Sequence, residues 1–211
     1  MKTFLKNLFS KKKKFSSMNY WESRYSGGSN SGDGSYGRLA DFKAQFLNQF
    51  IIENKIETAI EFGCGDGNQL SLINYSKYLG LDVSASTIKM CIEKFKDDSS
   101  KSFMLYETNC FINNNFIQAE LTLSLDVLYH IVEENLFIKY LKDLFATSSQ
   151  HVIIYSTNFN KNESTHVLHR EFLNLVKKEF PHFGFVKEVA NPFPGNGHQE
   201  SEANFFLFKR I

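Results

Sequence analysis

The sequence predicts an α/β protein: a three-layer sandwich with a seven-stranded, mostly parallel sheet and an antiparallel C-terminal hairpin. Short apolar segments alternate along the chain with amphipathic ones, as expected when helices cover both faces of a parallel sheet. The last two apolar segments are separated only by a loop rich in Pro and Gly, which favours a hairpin. The chain has 211 residues, 42% hydrophobic and 22% charged, which suits one globular domain.

The N-terminal region is strongly basic, although the formal net charge of the chain is only +1. Residues 1–17 hold six Lys and no acid, so 18 basic and 23 acidic residues remain in the rest of the chain. We predict that 1–17 is a flexible tail, and weak contact with an anionic membrane surface is the alternative. Residues 18–56 are predicted to form an N-terminal lid and helix, and residues 57–211 the main domain.

The first half of the chain shows helical spacing and short strands in alternation. The predicted elements are, in order, a helix at 36–53, a strand at 58–62, the start of a helix at 68–74 and a strand at 77–81. The second strand ends at Asp82, and Ser84 is a suitable N-cap for the helix that follows it.

The second half continues the alternation until the hairpin. The predicted elements are strands at 103–106 and 121–125, a helix through Leu136 to Phe145, a strand at 151–155, a helix at 166–180, and strands at 185–189 and 205–208. The order of strands and helices therefore predicts that one edge of the sheet carries the carboxyl ends of several parallel strands, where ligands bind in such folds.

Three glycines alternate in the loop after the first predicted strand: Gly63, Gly65 and Gly67. Glycine allows a tight turn and close approach of a ligand to the backbone. The dinucleotide-binding pattern G-x-G-x-x-G has its third glycine one residue later. Glu61, at the end of the strand, disfavours a pyrophosphate and suits a ligand with a positive centre. Asp82, 19 residues after Gly63, is placed to accept the hydroxyls of a ribose.

This constellation, with Leu81-Asp82-Val83-Ser84 and the segment Leu121–Ile131, resembles the class I S-adenosylmethionine-dependent methyltransferases. The resemblance extends from Tyr20 to Phe208. It implies a Rossmann-like fold, S-adenosyl-L-methionine as cofactor and S-adenosylhomocysteine as product, with 57–211 as the cofactor-binding domain. It also implies that the aromatic segment Tyr20–Tyr25 folds over the cofactor and that the Gly/Ser-rich stretch 27–37 is a lid hinge, whereas by composition alone this stretch is equally a flexible linker.

The resemblance implies roles for the residues of the glycine loop and the second strand. Gly63, Cys64 and Gly65 would run beneath the methionine part of the cofactor. Glu61 would orient that loop and the ammonium group through water. Asp82 would hold the ribose hydroxyls.

Further cofactor contacts are implied on the neighbouring loops. Val83 would pack on the adenine, and Leu125 and Asp126 would close over the sulfonium. Arg24 or Arg38 would pair with the cofactor carboxylate through a charge-assisted bond. Three residues are candidates for the contact with the adenine amino group: Glu107, Thr108 and Asn109.

Histidines are the main candidates for residues that bind or activate the molecule that accepts the methyl group. His130 follows the fourth strand and is predicted to be a general base or a substrate ligand, and helix packing is the alternative. On the predicted helix at 166–180, three side chains would share a face that suits an anionic group, or that is simply solvated. The predicted catalytic residues are His130, His166 and Arg170, and the predicted substrate contacts are Tyr36, Tyr129 and His169.

The resulting prediction is a methyltransferase that O-methylates a small, anionic molecule (a sugar, nucleotide-linked or phosphorylated metabolite) by in-line transfer. The alternatives are a methyltransferase for a protein or RNA recruited by the basic tail, and a non-catalytic regulator that binds the cofactor. No metal is predicted, because the histidines lack a third ligand, and no nucleic-acid partner, because the main domain is acidic. The three Cys form no disulfide pattern, which favours a cytoplasmic location.

Overall fold

The structure is a computed structural model that describes residues 15–211. The predicted basic tail and its membrane contact lie outside the described residues, except that Ser17 already begins the first helix and is buried. The helices are α1 (Ser17–Ser26), α2 (Gly37–Asn54), α3 (Ala85–Lys94), α4 (Glu134–Ala146) and α5 (Leu173–Glu179). Among residues 15–211, no helix is both long and apolar enough to cross a membrane.

The nine strands of the described chain form one large sheet and one small hairpin. They are β1 (Thr58–Phe62), β2 (Lys77–Asp82), β3 (Lys101–Leu105), β4 (Ala119–Leu125), β5 (Ser148–Ser156), β6 (Lys161–Ser164), β7 (Val167–His169), β8 (Phe183–Val189) and β9 (Asn204–Arg210). The large sheet has the order β3-β2-β1-β4-β5-β9-β8, and only β9 runs antiparallel to its neighbours. The predicted fold class is therefore confirmed.

Two hydrophobic cores lie on opposite faces of this sheet, because alternate residues of each strand point to opposite sides. One core packs α2 and α3 against the sheet, through residues such as Leu47, Ile88 and Leu123. The other packs α4 and α5, through residues such as Phe137 and Val176. The strands between them are buried on both sides, which explains their continuous apolar sequences.

The segment 166–180 is the main error of the sequence prediction. Only Leu173–Glu179 is helical, while Val167–His169 is a strand that pairs with β6 in the small hairpin. The predicted face of His166, His169 and Arg170 therefore does not exist, because strand residues alternate sides instead of following a helical repeat. The helix predicted from residue 68 is likewise only one 3-10 turn, Leu70–Leu72.

The order β3-β2-β1-β4-β5 places the carboxyl ends of five parallel strands along one edge. At this edge Ser84 caps α3 as predicted, since its hydroxyl accepts from the amide of Thr87. The hairpin of β6 and β7 approaches the same edge and contacts the 3-10 turn Leu128–His130. The loops that follow β1, β2 and β4 are thus brought together under α1.

Candidate functional site

The glycine loop after β1 is built tightly against the second strand. The amides of Gly63 and Cys64 both donate to the carbonyl of Leu81, at 2.7 and 3.0 Å. Gly63 has a φ of 84°, and a Cβ there would lie 2.4 Å from Cγ2 of Val127. Only glycine allows this conformation and this close contact without strain, so the loop presents its backbone directly to the space above it.

Asp82 lies at the carboxyl end of β2, with its side chain bound to two loops. One carboxylate oxygen accepts from the amide of Gly65 at 3.0 Å, and the other accepts from the amide of Ser84 at 2.9 Å. Burial raises the pKa of Asp82 to about 6, although these hydrogen bonds act in the opposite direction. Each carboxylate oxygen retains a free lone pair, so Asp82 can also accept hydrogen bonds from a ligand.

Glu61, at the end of β1, is a second buried carboxylate and is 2% exposed. It accepts a hydrogen bond from the Tyr78 hydroxyl at 2.7 Å. Burial raises the pKa of Glu61 to about 7, while the Tyr78 hydrogen bond and the charge of Lys43 act against the increase. A cationic ligand beside Glu61 would therefore favour its ionised form.

Asp126 follows β4 and is bound from two sides. It has a positive φ of 60°, and its carboxylate pairs with the ammonium of Lys43 and accepts from the Tyr129 hydroxyl. The Lys43 side chain is only 1% exposed. A buried lysine with a single carboxylate partner links α2 to the loop after β4.

These loops surround one cavity with an interior volume of about 100 Å³. Its floor contains Glu61, the glycine loop and Asp82, and α1 covers it through Ser17, Met18 and Trp21. The other lining residues are Tyr25, Ser31, Ser35, Lys43, Gln69, Val83, Tyr106, Thr108, Leu125, Asp126, Val127, His130, Ile131, Leu136 and Tyr140.

Helix α1 is fastened beside the cavity at two positions, in its middle and at its first residue. The carboxylate of Glu22 accepts from the hydroxyl of Ser84, and from the amide and hydroxyl of Ser86, at the start of α3. At the N-terminus of α1, the amide and hydroxyl of Ser17 donate to Glu133 at 2.9 and 2.6 Å. The segment predicted to cover the cofactor is a helix in the structure, and the carboxylates of Glu22 and Glu133 fix its position beside the cavity.

The Gly/Ser-rich stretch also closes over the glycine loop. The amide of Ser31 and the hydroxyl of Tyr36 both donate to Asp66 at 2.8 Å, and Asp66 in turn donates its amide to the Ser31 hydroxyl. Tyr36, predicted to contact substrate, is therefore engaged in this loop and does not line the cavity.

The structure brings nine of the predicted site residues to the cavity wall. These are Glu61, Gly63, Cys64, Gly65, Asp82, Val83, Leu125, Asp126 and His130. For the adenine contact, the exposed Glu107 lies outside the wall, whereas the buried Thr108 belongs to it. The alternation of side chains after β3 turns Thr108 inward and Glu107 outward.

Three predicted arginines do not reach the cavity, because each is held by other partners. Arg24 donates to the carbonyl of Asn30, and Arg38 donates to the carbonyl of Gln199. Arg170 donates to the carbonyls of Ile131 and Val132, at 2.7 and 2.9 Å. Arg170 therefore supports the loop after β4 instead of facing a substrate.

The other predicted site residues, His166, His169 and Tyr129, lie behind the cavity wall. His166 stacks on Tyr20, His169 is hydrogen bonded to Thr157 at 2.7 Å, and Tyr129 donates to Asp126. They form a packed layer around His130. Residues 15–211 contain no cluster of His, Cys, Asp or Glu that could hold a metal ion.

Sequence reasoning missed Lys43 and Gln69, although one signal was available for Lys43. Lys43 lies on the apolar face of α2, four residues from both Leu39 and Leu47, and a lysine at such a position must be buried. Gln69 follows the glycine loop, and its Oε1 is buried without a hydrogen-bond partner. No sequence pattern marks Gln69.

Comparison with known proteins identifies the fold. No family model and no curated protein matches the sequence. Solved structures do match, among them the N-methyltransferase NodS from Bradyrhizobium japonicum WM9 in complex with S-adenosyl-L-homocysteine. That match has a TM-score of 0.68 and 14% identity over 92% of this chain and 98% of that one.

Two other solved structures match this chain with similar TM-scores and sequence identities. The methyltransferase domain of bacterial CtHen1-C has a TM-score of 0.64 and 19% identity, over 82% of this chain and 99% of that one. Magnesium protoporphyrin IX methyltransferase from Synechocystis PCC 6803 has a TM-score of 0.62 and 12% identity, over 92% and 94%. The chain thus has the fold of the class I S-adenosylmethionine-dependent methyltransferases, as the resemblance implied.

Proposed function

We propose that the chain is an S-adenosylmethionine-dependent methyltransferase that O-methylates a small molecule by in-line transfer. The observation that carries the proposal is the charge of the cavity. Three carboxylates line it, from Glu61, Asp82 and Asp126, whereas Lys43 is the one Lys or Arg among the described lining residues. An excess of buried negative charge favours a cationic ligand.

The residues of the cavity fit the parts of this cofactor. The backbone of Gly63–Gly65 offers close contact to the methionine chain, and Asp82 has free lone pairs for the ribose hydroxyls. The unpartnered Gln69 Oε1 supplies an acceptor for the ammonium group, and Lys43 supplies a cation for the carboxylate. Thr108 is the polar residue available to the adenine amino group.

The chemistry supplied by the bound cofactor is a methyl group on a sulfonium. The protein has to exclude water and align the acceptor oxygen, and α1 provides the cover through Trp21 and Met18. A hydroxyl acceptor also needs a base. His130 is the imidazole that lines the cavity, and we assign it that role.

The structure removes the reason for predicting that the methyl acceptor is anionic. It depended on a helical face of His166, His169 and Arg170, and these residues lie on a strand and in a loop, bound to other groups. The proposal therefore retains a small-molecule acceptor and gives up the negative charge. We also propose a cytoplasmic location, supported by three free cysteines.

Calorimetry with S-adenosylhomocysteine tests the proposal. The intact protein should bind it with micromolar affinity, Asp82→Ala should abolish binding, and Asp97→Ala, an exposed acid beyond α3, should have no effect. Circular dichroism of the variants separates lost binding from lost folding. Absence of binding to the intact, folded protein would refute the proposal, and binding without turnover of any acceptor would favour a non-catalytic regulator.

A further inference from the structure

Two aromatic rings form the wall of the cavity on the side of the loop after β4. Trp21 of α1 and His130 face one another edge to face, with ring centroids 4.8 Å apart and planes at 76°. The residues beside them are apolar: Met18, Val127, Ile131 and Leu136. This part of the wall thus offers flat rings and aliphatic groups, and the carboxylate of the adjoining Asp126 is paired with Lys43.

Rings from three segments hold this wall in place. Tyr20 of α1 stacks on His166 of the hairpin, with centroids 4.6 Å apart. His166 is parallel to His130 within 4° at 6.1 Å. Because Trp21 and His130 are supported from behind, their positions are set before any ligand arrives, which lowers the entropic cost of binding a flat molecule.

The charges around the cavity disfavour an anionic acceptor. Lys43 is paired with Asp126 and is assigned above to the cofactor carboxylate, so it is not available to an acceptor, and Arg170 is bound to two backbone carbonyls. A phosphate or carboxylate at this end would lie near the buried acids without a counter-cation of its own. Burial of an unpaired charge is costly, so the acceptor that fits is neutral.

The hydrogen bonding of His130 defines which nitrogen can take a proton. Nδ1 lies 3.2 Å from the carbonyl oxygen of His166, and a carbonyl only accepts, so Nδ1 carries the hydrogen and Nε2 keeps its lone pair. Burial lowers the pKa of His130 to about 4. A weak base suits an acidic hydroxyl such as a phenol, with a pKa of about 10, better than an alkyl alcohol.

We propose that the methyl acceptor is a neutral aromatic compound with a phenolic hydroxyl, whose ring packs on Trp21 and whose hydroxyl hydrogen bonds to His130. The inference rests on the methyltransferase function proposed above. In the transfer, the acceptor oxygen forms a bond to the methyl carbon, and the carbon–sulfur bond breaks with its electron pair passing to sulfur. The O–H bond breaks as its proton passes to Nε2 of His130.

Calorimetry on protein saturated with S-adenosylhomocysteine tests the proposal with three probes of similar shape. The probes are 2-naphthol, its saturated counterpart decahydro-2-naphthol, and the anionic 2-naphthyl phosphate. We expect 2-naphthol to bind about tenfold more tightly than either of the others, from ring contact and neutral charge. Trp21→Leu should remove this preference, and because Trp21 also covers the cofactor, the three probes are compared on variant protein that is itself saturated with S-adenosylhomocysteine.

Turnover of 2-naphthol, followed as formation of S-adenosylhomocysteine, tests the base. His130→Gln should lower the rate about 100-fold or more and weaken the binding of 2-naphthol by no more than about tenfold, the value of one hydrogen bond, whereas His182→Ala, an exposed histidine beyond α5, should behave as the parent protein. Tighter binding of the phosphate or of the saturated alcohol, or an unchanged preference in Trp21→Leu, would overturn the proposal. Failure of the parent protein to bind S-adenosylhomocysteine would instead overturn the methyltransferase function itself.

Discussion

The ammonium of Lys43, on α2, pairs inside the protein with the carboxylate of Asp126, 83 residues further along the chain. The ammonium also lies 5.1 Å from the centroid of the Tyr155 ring. Both partners of this pair line the cavity. A buried ion pair contributes little net stability compared with apolar residues, so stability alone does not explain why it lies at the cavity.

We expect Lys43 to bind the carboxylate of the cofactor. Lys43→Met should weaken the binding of S-adenosylhomocysteine about tenfold to 100-fold, the value of a charge-assisted hydrogen bond. Binding of 5′-methylthioadenosine, which has no amino-acid part, should change by less than about threefold. Calorimetry with both ligands measures the difference.

Lys89→Met, an exposed lysine of α3, is the matched control, and Lys43→Arg should retain part of the affinity. An equal loss for both ligands in Lys43→Met would mean that the substitution disturbs the whole cavity, and the assignment would then be wrong.

The buried Glu61 should make the stability of the unliganded protein depend on pH. Its pKa is raised to about 7 in the folded state from 4.5, so the folded protein retains a proton that the unfolded chain has released between these values. Stability therefore falls as the pH increases from about 4.5 to 7. Glu61→Gln removes this effect and should stabilise the unliganded protein at pH 8 by up to about 3 kcal/mol.

Urea unfolding of the parent protein and Glu61→Gln at pH 5 and pH 8 measures this effect. The gain should be much smaller at pH 5, where the folded Glu61 is protonated, while the affinity for S-adenosylhomocysteine at pH 8 should decrease. A stability difference that does not change with pH would contradict the prediction.

The conformation of Gly63 should be essential to both folding and binding. A Cβ at this residue would lie 2.4 Å from Val127 at a φ of 84°, so Gly63→Ala should cost about 1–3 kcal/mol of unfolding free energy. Gly184→Ala is the matched control, because its Cβ would lie 3.3 Å from Ile211 at an ordinary φ. Thermal unfolding and calorimetry compare the two, and equal effects would refute the argument.

Glu22 should control the opening of α1. Its three hydrogen bonds to Ser84 and Ser86 range from 2.6 to 3.2 Å, and they lower the pKa of Glu22, so the contact persists at mildly acidic pH. Glu22→Ala should raise the dissociation rate of S-adenosylhomocysteine about tenfold. Trp21, the only tryptophan in the chain, reports the rate by stopped-flow fluorescence.

The exposed Glu93 of α3 provides the control for Glu22. Glu93→Ala should leave the dissociation rate unchanged, because its partner is a neighbouring surface lysine, Lys96. An unchanged rate in Glu22→Ala would show that α1 does not limit release of the ligand.

Local sequence patterns were sufficient to predict the helices and strands whose apolar residues follow a single helical or strand repeat. The strand at 58–62, the N-cap at Ser84 and the hairpin at the C-terminus agree with the structure. The glycine loop was also recognisable, because φ values above zero and close backbone contacts demand glycine at fixed positions. These features depend on neighbours in the chain, so the sequence by itself determined the fold class and the floor of the cavity.

The other half of the site depends on contacts between distant segments. Residues 166–172 were predicted as a helix because their spacing allows it, but pairing with β6 made 167–169 a strand. Whether Arg24, Arg38 and Arg170 face the cavity was decided by carbonyl partners in other loops. Only the tertiary structure therefore placed Lys43 against Asp126 and Trp21 against His130, since burial and long-range pairing, which no local period encodes, select the residues that meet.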